Sequence, residues 1–83
     1  MEIEFYGVLE ELAGSRRARV AAGGTAREVL ARLEVDYPGL AEHLPRVACA
    51  QGDRLVARDE PLDSERPLAL LPPVSGGAPR EAD

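Results

Sequence analysis

A chain of 83 residues makes one domain, and a domain of this size buries too little surface to build both a core and a deep small-molecule pocket. The net charge of −5, without any run of basic residues, argues against nucleic acids and anionic membranes as partners, because their phosphate groups would repel the protein. The single cysteine, Cys49, excludes an internal disulfide and a multi-cysteine zinc site.

The N-terminal part of the chain predicts a strand, a helical turn and a second strand. Charged and bulky residues alternate over residues 2–6, which is typical of a strand with Ile3 and Phe5 on one face. Residues 8–13 then have a short helical spacing, and alternation returns over residues 16–21. We expect the second strand to run antiparallel to the first.

The clearest local signal is the start of a helix at Thr25. The run Thr25-Ala26-Arg27-Glu28 fits a capping box, in which the Thr25 hydroxyl accepts from the Glu28 amide and the Glu28 carboxylate reaches back to Thr25. Apolar residues then recur every three or four positions, which predicts an amphipathic helix covering one face of a sheet. The predicted buried stripe consists of Ala26, Val29, Leu30, Leu33 and Tyr37.

Three more strands are predicted after this helix. Residues 47–50 and 54–57 form two short strands, and residues 68–71 form the last strand, which Pro72 and Pro73 end because proline cannot donate to a ladder. This element order fits an α+β fold of the ubiquitin-like β-grasp type. We expect a mixed sheet of four to five strands with one main helix on one face, and with the first and last strands parallel in the middle.

We assign residues 1–75 to this domain and residues 76–83 to a flexible C-terminal tail, because the last residues offer almost nothing to a core. The acidic N-terminus does not resemble a signal peptide, and no apolar run approaches the length of about 18 residues that a membrane span needs. We therefore expect a cytoplasmic protein. An exposed apolar patch is expected around the last strand.

The sequence contains no recognisable set of catalytic residues. His43, the only histidine, lies in a polar turn and is expected to act as a cap or to lie in solvent. Cys49 lies in an apolar strand, where burial makes a thiol inert. Gly23-Gly24 precedes a helix but lacks the spacing and the lysine of a phosphate loop. The protein is thus not expected to be an enzyme by itself, nor to bind a metal or a cofactor.

The C-terminal tail is expected to be slim and flexible beyond a stiff starting segment. Gly76 and Gly77 lack a Cβ, which gives the chain a narrow cross-section and free backbone torsions. Pro72 and Pro73 stiffen the segment where the tail leaves the domain.

The run from Leu68 to Gly77, ending in Pro-Pro-Val-Ser-Gly-Gly, resembles the small subunit of molybdopterin synthase, a member of the MoaD/ThiS-type ubiquitin-like sulfur carriers. The first strand, the Thr25 helix and the stretch from Arg54 to Leu62 share the order and spacing of that family, so the resemblance covers roughly residues 1–77.

This resemblance implies a chemical role for the C-terminal glycine. The Gly77 carboxylate would be adenylated by an ATP-using, ubiquitin-activating-like adenylyltransferase and then converted to a thiocarboxylate. The tail would enter the large subunit of molybdopterin synthase and donate sulfur to a pterin precursor. The implied tail and partner-binding residues are Leu71, Pro72, Pro73, Val74, Ser75 and Gly76, with Gly77 as the donor.

The sequence departs from the family pattern at two places. Residues Ala78 to Asp83 follow Gly77, and a peptide carbonyl cannot be adenylated as a carboxylate, so we expect a processing protease to remove residues 78–83. Leu70 and Leu71 stand where many relatives have large aromatic residues, which bears on the identity of the partner.

Two alternatives to the molybdopterin synthase subunit stay open. The protein could be a sulfur carrier or ubiquitin-like modifier for another pathway, such as thiamine, cysteine or tRNA thiolation, although Pro72-Pro73-Val74-Ser75 favours molybdopterin synthase over the thiamine branch. It could also be a β-grasp interaction module that donates nothing. The chain has no lysine, so as a modifier it could only be the donor.

Overall fold

The part of the chain that the structure describes, residues 1–21 and 24–73 of a computed structural model, forms a five-stranded mixed sheet with one main helix on one face. The strands are β1 (Glu2–Phe5), β2 (Arg17–Arg19), β3 (Ala48–Gln51), β4 (Arg54–Val56) and β5 (Leu68–Leu71). The helices are α1 (Val8–Ala13) and α2 (Ala26–Asp36), with two 3-10 turns at Pro38–Leu40 and Leu44–Arg46.

The strands lie in the order β2-β1-β5-β3-β4, so the last strand is at the centre of the sheet. β1 and β5 are parallel, with Ile3 opposite Leu68 and Phe5 opposite Leu70. β2 is antiparallel to β1, and β3 is antiparallel to both β4 and β5. The predicted ubiquitin-like β-grasp, with its first and last strands parallel in the middle, is confirmed.

Helix α2 covers the sheet through the stripe that its sequence predicts. Four of the five stripe residues are buried, and the fifth, Tyr37, is half-buried just beyond the end of the helix. The Tyr37 ring meets the Phe5 ring edge-on, with 5.7 Å between their centroids. The core therefore lies between α2 and the inward face of the central strands.

The N-terminus of α2 is held partly by its own cap and partly by the loop between β4 and β5. Thr25 Oγ1 accepts from the Glu28 amide at 3.3 Å, which is one half of the predicted capping box. The other half is wrong, because the Glu28 carboxylate lies beside Gly24 instead. The Gly24 carbonyl accepts from the Leu62 amide at 2.7 Å, so the loop satisfies a backbone group at this end of the helix.

A buried glutamine holds that loop against the sheet. Gln51 is the last residue of β3 and is 8% exposed. Its side-chain nitrogen donates to the carbonyls of Asp63 (2.8 Å) and Arg66 (3.1 Å), and its oxygen accepts from the Asp63 amide (3.0 Å). All the polar atoms of this buried amide are thus paired, which turns the loop into a fixed part of the domain.

The outer edge of β2 is occupied by a serine side chain. Arg16 and Val20 hydrogen bond to the β1 side, so the peptide groups of Arg17 point the other way. Ser15 Oγ donates to the Arg17 carbonyl at 2.7 Å and accepts from the Arg17 amide at 3.3 Å. This one hydroxyl therefore satisfies both peptide groups of Arg17.

We expect Leu33→Ala to lower the free energy of unfolding by about 2–5 kcal/mol, because Leu33 is fully buried and its truncation leaves a cavity. Val35→Ala, on the same helix but 71% exposed, is the matched control and should change it by less than about 0.5 kcal/mol. Urea unfolding followed by circular dichroism measures both. Equal losses for the two variants would show that α2 does not cover the sheet in this orientation.

Candidate functional site

The end of β5 is where the predicted tail leaves the sheet. Pro72 is half-buried and Pro73 is exposed, and both follow Leu71 directly. The Tyr6 amide donates to the Leu70 carbonyl at 3.2 Å, which continues the parallel pairing one residue beyond β1. Because β5 is the central strand, the chain leaves from the middle of the sheet, between the end of β1 and the start of β3.

The structure brings together part of the predicted site. Leu71, Pro72 and Pro73, which we call the tail root, are described. The predicted donor Gly77 and the predicted tail residues lie outside the described residues, so their roles stay predictions, as does the division of the chain at residue 75. These tail residues are Val74, Ser75 and Gly76, followed by Ala78, Pro79, Arg80, Glu81, Ala82 and Asp83.

Beside the tail root, the face of the sheet opposite α2 carries an apolar surface. Leu68 and Leu70 point into the core, so Ala69 and Leu71 lie on this open face, both half-buried. The register places alanines of β3 beside them and the 69% exposed Leu55 beyond. We call this surface the open-face patch; it consists of Ala48, Leu55, Ala69 and Leu71, with the 8% exposed Ala50 between them.

The other half of the open face is polar. The Tyr6 hydroxyl donates to Glu4 Oε1 at 3.2 Å, and this hydrogen bond, together with the charge of the carboxylate, raises the pKa of Tyr6. On this face an ion pair joins Arg17 to Glu2 at 3.3 Å, whereas the pair of Arg16 with Glu10, at 3.5 Å, connects the end of β2 to α1. Because the side chains of these pairs are largely exposed, the pairs add little to stability.

Sequence reasoning missed the place of Tyr6 in this arrangement. Tyr6 is 46% exposed and lies level with Leu71, because Phe5 pairs with Leu70. The two-residue spacing between Glu4 and Tyr6 was the available signal, since it puts both side chains on the same face of a strand.

Neither Cys49 nor His43 contributes a reactive group at the tail root. Cys49 is 2% exposed and lies between Leu70 and Val56 in the core, where burial raises the pKa of its thiol. Its prediction as a core residue is confirmed. His43 is half-buried and precedes the turn Leu44–Arg46, and its side chain makes no capping hydrogen bond there. Of the two expected positions, a cap or solvent, the cap is therefore wrong, and the side chain is partly exposed.

Residues 1–21 and 24–73 contain neither a candidate metal site nor a candidate membrane span. No group of three or more histidine, cysteine, aspartate or glutamate residues is placed so that it could hold a metal ion. No helix in this part of the chain is both long and apolar enough to cross a membrane.

Comparison with known proteins agrees with this fold and tail root. Residues 3–77 match the ThiS family model. SAMP1, a small archaeal modifier protein of Haloferax volcanii, is 29% identical, with 92% of this chain and 97% of that chain covered and a TM-score of 0.73. The HVO 2177 protein of the same organism is 30% identical, with 92% and 84% covered and a TM-score of 0.75.

A chain from the complex of subunits 1 and 2 of molybdopterin-converting factor of Helicobacter pylori is also similar. It is 31% identical, with 92% of this chain and 96% of that chain covered and a TM-score of 0.64. The fold and the matches define a ubiquitin-like β-grasp protein of the sulfur-carrier class. The chain belongs to the ThiS family, whose MoaD/ThiS-type members are small carrier subunits.

The raised pKa of Cys49 predicts how stability depends on pH. Above the ordinary value of 9.0, the thiol ionises in the unfolded chain but keeps its proton in the folded one. Ionisation then stabilises only the unfolded state, so this group lowers the free energy of unfolding as pH rises through 9.0. Urea unfolding at several pH values should show a shallower alkaline decline for Cys49→Ala. An unchanged slope would mean that the thiol titrates normally in the folded protein.

Proposed function

We propose that this protein is a sulfur carrier that serves as the small subunit of molybdopterin synthase in the synthesis of the molybdenum cofactor. Gly77 carries the sulfur as a thiocarboxylate. The observation that carries the proposal is that the family match ends at Gly77, while the central strand β5 ends at the Pro72-Pro73 root of the same segment. The proposed reactive end of the chain therefore follows, a few residues later in the sequence, from the central strand of the sheet.

The proposed chemistry needs activation by a partner. A carboxylate is a poor acceptor for sulfur, and adenylation by an ATP-using adenylyltransferase gives the Gly77 carbonyl a good leaving group. ATP is therefore consumed by that partner and is not a cofactor of this chain. Sulfide-level sulfur from a separate donor then displaces AMP from the Gly77 carbonyl and gives a thiocarboxylate. The thiocarboxylate passes this sulfur to a pterin precursor in the large subunit, and Gly77 returns to a carboxylate. We assign no catalytic step to the described side chains, which hold and present the tail.

Activation also requires a free carboxylate at Gly77. The sequence continues through Ala78 to Asp83, so a protease must first cut the Gly77–Ala78 bond. Gly76 and Gly77 precede this bond, so no side chain hinders access to it from the N-terminal side.

For the large subunit, we propose that it docks on the tail root and the open-face patch. The H. pylori relative comes from a complex of subunits 1 and 2, which supports a second subunit as partner. In this chain the patch is continuous with the tail root through Leu71, so one partner can cover the patch and receive the tail. Leu55, 69% exposed, supplies apolar surface at the far end of the patch.

A second candidate function is supported by the similarity to SAMP1, named as a modifier protein. In that case the activated Gly77 would form an isopeptide bond with a lysine of a target. Because this chain has no lysine of its own, chains of it could not form through side-chain amines. Co-purification separates the candidates: a stable, non-covalent large subunit supports the first, and covalent adducts support the second.

Intact-mass spectrometry of the protein from its native cell tests the carrier function. We expect a species ending at Gly77, and a second species heavier by the difference between one sulfur and one oxygen atom. Cells that lack the adenylyltransferase should retain the first species and lose the second. Detection of only the 83-residue form would contradict the proposal.

Leu71→Asp should weaken binding to the large subunit by about 2 kcal/mol or more, because it puts a charge into the centre of the proposed interface. Val35→Asp is the control, since Val35 is 71% exposed on α2, away from the open face. Isothermal titration calorimetry measures both, with circular dichroism as the check on folding. Unfolding of Leu71→Asp would place Leu71 in the core, and unchanged binding would remove the patch from the interface.

A further inference from the structure

The tail root lies against the turn between β1 and α1 at Gly7. Gly7 has a φ of 60° and a ψ of −136°, a backbone conformation that residues with a Cβ rarely adopt. A Cβ on Gly7 would lie only 2.9 Å from Cγ of Pro72 and 3.5 Å from Cδ. The Pro72 ring therefore occupies space that is open only because residue 7 has no side chain.

We propose that Gly7 is a positioning residue for the tail: it seats the Pro72 ring against the β1–α1 turn and so sets the direction in which the chain leaves β5. The inference rests on the proposed carrier function, because the direction has a use only if the tail must enter a partner's active site. The proposal gives a role in tail positioning to Gly7, a residue outside the Pro-Pro-Val-Ser-Gly-Gly motif.

Because the side chain of proline is joined to its own backbone nitrogen, this contact constrains the direction of the tail. A flexible side chain would rotate away from an added Cβ, but the pyrrolidine ring of Pro72 is part of the main chain. Moving the ring therefore moves the backbone at the tail root. On the other side of Leu71, the Tyr6 amide already fixes the Leu70 carbonyl at 3.2 Å. Two adjacent points of contact, one hydrogen bond and one ring, are enough to define an exit direction.

The surface that receives the ring is itself firmly held. The Gly7 carbonyl accepts from the Glu10 amide at 3.1 Å, and the Tyr6 carbonyl accepts from the Leu9 amide at 3.1 Å, so the turn is part of the first turn of α1. Leu9 is fully buried and anchors α1 in the core. The Pro72 ring thus rests on a rigid platform.

A spin label on the full chain measures the direction of the tail directly. The label is attached at Ala78→Cys, and the buried Cys49 is left in place because its protonated thiol does not react. Broadening of backbone amide signals then maps where residue 78 spends its time. We expect Gly7→Ala to shift the set of broadened amides. Gly14→Ala is the control, since Gly14 also has a positive φ, 76°, but no atom within 4 Å of an added Cβ.

A second pair of variants avoids the backbone strain at residue 7. Pro72→Ala removes the ring that touches Gly7, whereas Pro73→Ala removes the ring of an exposed proline. We expect Pro72→Ala to spread the broadening over many more amides than Pro73→Ala does. If the two proline variants give the same map, or if Gly7→Ala gives the wild-type map, the contact does not set the direction and the proposal is overturned.

The rate of adenylation tests whether the direction of the tail matters for the carrier function. It also allows the carrier function and the role of Gly7 to fail independently of each other. With chains ending at Gly77 and the activating enzyme, we expect kcat/KM to fall about 10- to 100-fold for Gly7→Ala and Pro72→Ala, and to stay near wild type for Gly14→Ala. Thermal unfolding of each variant confirms that the comparison is made on folded protein. If the wild-type chain is not adenylated at all, the carrier function fails, while the spin-label maps still decide the role of Gly7.

Discussion

The parallel pairing of β1 with β5 is the constraint on which the rest of the structure depends. It puts the two ends of the domain side by side at the centre of the sheet, with Phe5 opposite Leu70. A parallel pair needs a long connection, and α2 lies within that connection and covers the inward face. The same pairing brings the β1–α1 turn next to the tail root, so the element that closes the core also defines where the tail begins.

Most of the fold could be predicted because its signals are local. Alternation at Ile3 and Phe5, the Thr25 cap and the apolar stripe of α2 are each set by residues a few positions apart, and each is found in the structure. What could not be predicted depends on residues that are distant in sequence. The Glu28 carboxylate does not complete its capping box, and Gln51 binds the carbonyls of a loop whose path no local pattern specifies.

The candidate site was predictable to the same extent. The Pro-Pro-Val-Ser-Gly-Gly run identifies the tail root directly, and alternation along β5 puts Leu71 on the open face. The neighbours of Leu71 come from strand order and register, which the pattern of one strand does not contain. Nor does any sequence signal bring Gly7 to Pro72, because that contact exists only once β1 and β5 lie parallel in this register.

The Ser15 side chain at the outer edge of β2 affects how readily the protein associates with other copies of itself. A sheet border with unpaired peptide groups is a template on which another extended chain can grow. Here an added strand would first have to displace the Ser15 hydroxyl from Arg17, and would then lie alongside two exposed arginine side chains. Stacking of copies through this border is therefore disfavoured. The Ser15 hydroxyl and the two arginine side chains thus protect this edge of the sheet against pairing with another copy.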